Sequence, residues 1–298
     1  MGPEAFLLQM VQQVFNGVSL GSIYALIALG YTMVYGIIKL INFAHGDIFM
    51  IGAFAGYFAT SVYKMSFLPA LVFAMVAAAI SGVIIERLAY RPIRKASRIS
   101  ALITAIGVSL LLENAGLLIL KPDPRAFPEV IPLKVYTWGG IIVNNRQILI
   151  LAVAIGLMVL LQWVVRSTKI GKAMRAVAND RDAAYLMGID VNQVITVTFA
   201  IGSALAAAAG VLVGVFYNRI DPLMGIMPGL KAFVAAVLGG IGIIPGAMLG
   251  GMVMGIVEVL VAAFVSSSWK DAAAFVALII ILLVRPAGLL GKNVGEKV

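Results

Sequence analysis

The sequence predicts an all-α polytopic membrane protein with about eight transmembrane helices, and three observations carry that prediction. The chain is 62% hydrophobic and 12% charged, with a mean hydropathy of +1.06. Soluble domains average roughly 45–50% apolar and about 25% charged residues. Apolar runs long enough to cross a bilayer, ~20 residues each, recur along the whole length. Two strongly basic segments separate them. Lys and Arg collect in cytoplasmic loops of membrane proteins, so the net charge of +9 marks orientation and does not argue for nucleic acid. With no Cys, disulfides, thiol chemistry and Cys-ligated metal are excluded.

The opening "MGPEAFLLQM" has no basic n-region and no small-residue cleavage site, so the first helix is expected to be retained. Phe6 breaks the myristoylation pattern. Helices are expected near 14–38, 44–63 and 66–86. The basic segment "RLAYRPIRKASR" (87–98), with five Lys/Arg and no acid, then faces the cytoplasm. A helix near 99–120 leads to the loop 121–147, Pro-rich and mixed in charge, with Tyr136 and Trp138 suited to an interface; it is expected outside. A helix near 148–165 returns to the cytoplasmic loop 166–193, which carries Arg166, Lys169, Lys172, Arg175 and Arg181. Helices near 194–216, 247–265 and 272–285 complete the set. The apolar piece 230–244 is too short to span comfortably at 1.5 Å per residue. Counting eight spans from the basic loops puts both termini outside, yet Arg285, Lys292 and Lys297 pull the tail inward. The 230–244 piece is where that parity can be repaired.

Glycines recur on small-xxx-small spacing, at Gly17/Gly21, Gly52/Gly56, Gly210/Gly214, Gly246/Gly250 and Gly251/Gly255, where helix backbones can approach closely. Two segments go further. "INFAHGDIFMIGAFAG" (41–56) is expected to break around Gly46. "VLGGIGIIPGAMLGGMVMG" (237–255) is expected to break at Gly242, Pro245 and Gly246. Such re-entrant Gly-rich segments, near 41–56 and 230–250, survive at membrane depth only when buried in protein or lining a cavity. One break in each half is the pattern of transporters built from repeats.

Asn42, His45 and Asp47 cluster at the first break. They either cap and brace a broken helix or line a translocation path, since ionisable groups inside membranes mark substrate routes. Glu113, Asn114 and Glu258 are the other polar candidates, and both carboxylates should face the bundle interior or a partner. Glu86 reads as an interfacial ion pair with Arg87. The chain shows no G-x-x-x-x-G-K-[ST], no H-E-x-x-H and no G-x-S-x-G, and it has one His. Nucleotide binding, a multi-His metal site and enzymatic catalysis are therefore not expected in this chain.

In "NDRDAAYLMGID", Asp182, Ala183 and Ala184 precede Gly188 and Ile189. This reads as a short helix closed by a left-handed glycine, or as an ordinary connector. The stretch "GKAMRAVANDRDAAYLMGID" resembles the Glu-Ala-Ala…Gly loop of ABC importer permeases, with Asp182 in place of Glu. With "FNGVSLGSIYALIALGYTMVYGIIKLINFAHGDIFMIGA", "IERLAYRP", "KAFVAAVLGGIGIIPGAMLGG" and "RPAGLLGK", the whole chain is similar to the H-type permeases of high-affinity branched-chain amino acid importers. Loop 121–147 and Glu113 fit the pattern least.

That resemblance implies one permease domain over 1–298 in a bacterial inner membrane, moving leucine, isoleucine or valine inward. It implies a second, M-type permease, two cytoplasmic ATPases that hold the ATP and Mg, and a periplasmic binding protein. The loop 166–193 would receive the ATPases through Asp182, Ala183, Ala184, Gly188 and Ile189. The alternative is a proton- or sodium-coupled secondary amino acid carrier with His45, Asp47, Glu113 and Glu258 as a relay; a passive channel has only the re-entrant segment behind it.

Overall fold

The computed structural model describes residues 2–94 and 96–291. Within them, α1 runs Pro3–Ile38, and its 36 residues make a rod of about 54 Å. The apolar run expected at 14–38 is the inner part of this longer helix. At Lys39 the backbone turns left-handed (φ 55°), and residues 39–44 leave the helix. α2 (His45–Ser61) follows, then α3 (Phe67–Ile85). A π-turn at Glu86–Tyr90 carries α3 into α4 (Arg91–Ile93). α5 (Arg98–Leu120) is capped by the Ser97 hydroxyl.

The outer loop contains one feature that the all-helical reading lacked. β1 (Val135–Trp138) and β2 (Ile141–Asn144) form an antiparallel hairpin, turned by Gly139 and Gly140, both at positive φ, as a two-residue primed turn requires. Asn144 and Gln147 form a capping box on α6 (Asn145–Ser167). The Thr168 hydroxyl caps α7 (Lys169–Asn179) and the Asp180 carboxylate caps α8 (Arg181–Leu186). α9 (Val191–Tyr217), α10 (Ile226–Gly239), α11 (Ile244–Phe264), a 3-10 turn (Ser267–Trp269) and α12 (Lys270–Val284) complete the chain.

Among the described residues, seven helices are long and apolar enough to cross a membrane, and α2 and α10 are shorter. α1 and α9 hold the centre of the bundle, while α5, α6 and α12 leave wide apolar faces open. The small-residue pairs of α1 and α11 face each other. A methyl on Gly17 would stand 2.7 Å from Ile256 Cα, and one on Gly21 2.8 Å from Met252 Cα.

Contacts separate two poles. At one, Gln12 donates to the Ile142 carbonyl (2.8 Å), Phe6 stacks on Phe264, and Arg125 bridges to Ile220. At the other, Arg94 meets Asn192, Arg181 meets the Ile37 carbonyl, and Leu289 N–H meets the Leu238 carbonyl. Both basic loops lie at the second pole, which the positive-inside rule makes cytoplasmic. α1 thus starts outside, and the segment after α12 ends inside. The missing crossing is supplied by α10 and the short segment before it, which run from the outer pole, where Ile220 pairs with Arg125, through the turn 222–225 to the inner pole, where the Leu238 carbonyl accepts from Leu289, and this resolves the parity conflict.

The breaks also shift. The first lies at 39–44, and Gly46 sits within the first turn of α2. The second is the turn 240–243, with Gly240 and Gly242 at positive φ. Pro245 stands in the opening turn of α11, where its missing N–H is tolerated, and Gly246 is helical.

Candidate functional site

The six polar candidates divide into three groups. Asn42 and His45 are structural neighbours of α1 and α3. The Tyr90 hydroxyl, turned inward by the π-turn, donates to Asn42 Oδ1 (2.8 Å). His45 Nε2 lies 3.2 Å from the Ile27 carbonyl, with its ring edge-on to Tyr31. Gly30 leaves room for that ring, because a methyl there would overlap it.

Asp47 and Glu113 form the second group. Ser109 Oγ of α5 donates to Asp47 Oδ2 of α2 (2.6 Å) and lies 3.5 Å from Glu113 Oε1. Both carboxylates line a cavity of about 120 Å³. Its other walls include the apolar Phe43, Ile226 and Leu230, together with Tyr31. Gly46, Gly225 and Gly229 close its floor with bare backbone. The fit there is tight, since a methyl on Gly46 would stand 2.5 Å from the Gly225 carbonyl. Neither α2 nor α10 has a side-chain cap where they meet, and their two N-termini converge beside the acids. Among the described residues no Lys or Arg lines this cavity. Asn114, one residue on, points outward and donates to the Leu110 carbonyl.

Glu258 belongs to a third cluster. Lys231 Nζ donates to Glu258 Oε1 (2.7 Å) and to Asp271 Oδ1 (2.6 Å), and the Tyr24 hydroxyl donates to Glu258 Oε2 (2.7 Å). Sequence reasoning missed Lys231, although it is the one basic residue between Arg219 and Lys270. A lone cation in such a span needs a buried anion. Glu86 is also corrected. It is fully buried, pairs with Arg94 and accepts from Thr196 (2.8 Å), and successive helical residues do not face each other, so Arg87 is not its partner.

At the cytoplasmic pole, α8 has the expected form. Asp180 Oδ1 accepts from the N–H groups of Asp182 and Ala183. Gly188 takes φ +82°, and the Ile189 N–H closes on the Ala184 carbonyl (3.1 Å). Ala184, however, faces inward and is buried. The outward face comes from Tyr185, Leu186 and Met187, each more than two-thirds exposed. Three consecutive apolar residues after a cap are the signal that was available and unused.

Residues 13–284 match the family described as "Branched-chain amino acid transport system / permease component". The chain belongs to that family. It is 44% identical over 309 residues to the high-affinity branched-chain amino acid transport system permease protein BraD of Pseudomonas aeruginosa, spanning 99% of this chain and 100% of that one. To the corresponding LivH of Escherichia coli it is 45% identical over 304 residues, with 98% of each chain covered. A probable LivH of Methanocaldococcus jannaschii is 27% identical over 289 residues, covering 91% and 90%. As the resemblance implied, the chain is a multi-pass membrane permease component.

Proposed function

We propose that this permease is the membrane subunit of an ATP-driven importer in the bacterial inner membrane and carries branched-chain amino acids inward. The observation that carries the coupling is α8, a single capped turn that holds an apolar tip of Tyr185, Leu186 and Met187 into the cytoplasm. Exposed apolar tips of this kind mark protein interaction sites. Two separate ATPases, holding ATP and Mg, seat on that tip. ATP-driven closure pushes it, and the push rocks the bundle through α7 and α9. An M-type permease completes the pore, and a periplasmic binding protein delivers substrate to the hairpin pole.

The Asp47–Ser109–Glu113 cavity suits the substrate. Two carboxylates without a basic neighbour attract the α-ammonium, the converging helix N-termini favour the α-carboxylate, and Phe43, Ile226 and Leu230 receive an aliphatic side chain. A proton- or sodium-coupled carrier has less support. Among the described residues no hydrogen bond links the Glu258 cluster to Asp47 and Glu113, and His45 is engaged with a backbone carbonyl.

Leu186→Ala tests the assignment. Removing most of a buried leucine side chain from a docked surface costs about 2 kcal/mol, a loss of roughly 30-fold in ATPase affinity. ATPase recovered on co-purification and uptake of labelled leucine should fall together, while membrane insertion stays normal. Gly188→Val, which strains the left-handed exit, should act the same way. Normal assembly and transport by both variants would make this loop a mere connector.

A further inference from the structure

A second cavity, of about 380 Å³, lies at the cytoplasmic pole against α8 and is separate from the translocation site. Among the described residues three cations line it, Lys39 from the end of α1, Arg94 from the end of α4 and Arg181 from the start of α8, and no acid does. Arg94 is paired with Glu86 and donates to Asn192 Oδ1 (2.7 Å), but its Nε is buried without a partner. Burial and the neighbouring Arg181 charge hold the Arg94 guanidinium below its ordinary pKa. Arg181 donates from Nε and Nη2 to the Ile37 carbonyl (3.2 and 2.7 Å). Among the described residues, neither Arg181 nor Lys39 has a carboxylate partner. Asp180, one residue before Arg181, is committed to capping α8. Arg94 is offset by Glu86, so Lys39 and Arg181 bring two uncompensated cations to the same concavity, and a bound negative group relieves their repulsion.

A third cavity, about 360 Å³, adjoins this one and shares Lys39 and Leu40 with it. Its remaining walls are Tyr35, Ile41, Ala101 and Leu102, between α1 and the start of α5. The α5 side is open and apolar, with Ile99 and Ile103 both well exposed. Soluble phosphate has no use for such an annex. A phospholipid does, because its phosphate and its acyl chain need a basic and an apolar compartment side by side. Basic pockets between helices on the cytoplasmic side are suited to anionic headgroups.

We propose that the paired cavities bind one anionic phospholipid of the inner leaflet, its phosphate among Lys39, Arg94 and Arg181 and an acyl chain against Ala101 and Leu102. The phosphate ties the end of α1 to the first residue of α8. The lipid therefore stiffens the support on which the apolar tip pushes.

The test uses the transporter purified whole from a micelle of equimolar phosphatidylglycerol and phosphatidylcholine, with retained lipid counted by native mass spectrometry. The parent should retain phosphatidylglycerol in preference. Lys39→Gln should weaken retention about five-fold, the effect of one cation near a charged headgroup, and Lys39→Arg should restore it. Leu102→Trp, which fills the apolar cavity and leaves every charge in place, should also weaken it. Equal retention by the parent and Lys39→Gln overturns the site. Displacement of the lipid by inorganic phosphate, or indifference to Leu102→Trp, overturns the lipid assignment in favour of a free anion.

Discussion

The Lys231 cluster ties four helices together, with Tyr24 on α1, Lys231 on α10, Glu258 on α11 and Asp271 on α12. Its members are unequally buried. The side chains of Lys231 and Glu258 are 5% and 7% exposed, whereas that of Asp271 is 41% exposed. Glu258→Leu strands a buried ammonium with only the half-solvated Asp271. Breaking a buried pair by removing one partner costs about 3–5 kcal/mol, and the surviving Asp271 contact places this case near the low end. The Tyr24 hydroxyl also loses its acceptor, adding about 1 kcal/mol, so Glu258→Leu should lose roughly 4 kcal/mol. Lys231→Met strands the Glu258 carboxylate with a single hydroxyl donor and should cost about as much. The double variant carries neither charge. Only the Tyr24 hydroxyl is then unsatisfied, for about 1–3 kcal/mol, and the double variant should be more stable than either single one. Asp271→Asn, at an exposed pair, should cost less than about 1 kcal/mol. Unfolding of the purified permease in mixed micelles, titrated with denaturing detergent, measures all four. If the losses of the single variants simply add in the double, the charges are not coupled and the reasoning fails. The same double variant bears on transport. A structural pair predicts that ATP-driven leucine uptake survives its removal, whereas a proton relay through Glu258 predicts that uptake is abolished in a folded protein.

Three further outcomes are expected. The chain has no Cys, so Cys introduced at Thr137, in the exposed hairpin, should react in whole cells with a membrane-impermeant thiol reagent, and Cys at Asn179 should be shielded. Labelling at Asn179 would invert the topology. Asp47→Asn should raise the apparent KM for leucine at least ten-fold, the scale of a lost charge-assisted hydrogen bond, with ATPase assembly intact, while Glu113→Gln keeps most transport, because its amide oxygen still accepts a hydrogen bond and Asp47 still carries the charge. An unchanged KM would remove Asp47 from the path. Gly255→Leu would drive a side chain into the Gly21 backbone and should abolish recovery of folded permease, whereas Gly107→Leu, where no atom lies within 4 Å, should be tolerated. Equal recovery of the two would refute the α1–α11 contact.

The features legible in the sequence are those written in consecutive residues. Apolar runs placed the long helices within a few residues, except for α1, which starts eleven residues before the expected 14, and the two basic segments oriented them. The run Asp182, Ala183 and Ala184 followed by Gly188 described α8 and its left-handed exit, while its cap, Asp180, went unread. What escaped reading depends on groups far apart in the chain. Gly46 looks like a helix breaker, yet its missing side chain serves a backbone approach to Gly225 and Gly229, nearly two hundred residues away; the break lies at Lys39, where nothing in composition announces it. The piece 230–244 looked too short to cross because its helix begins earlier, at Ile226, and is led in by the turn 222–225, which has no periodicity to recognise.

Lys231 and Glu258 stand on different helices joined by a turn, so neither helical nor strand spacing relates them. Only the expense of a lone cation in an apolar run could have prompted a search for its anion. The face of α8 shows the limit most plainly. A six-residue helix is too short for an apolar period to reveal which side packs, so two adjacent alanines read as one surface. In the fold Ala184 turns to the bundle and Ala183 to water. The work of contact falls to the three residues that follow, because the Asp180 cap sets the rotation of the turn and the Gly188 exit brings Tyr185, Leu186 and Met187 to its tip. Substitutions at Ala184 therefore report on how α8 is held, and those at Leu186 on what it touches.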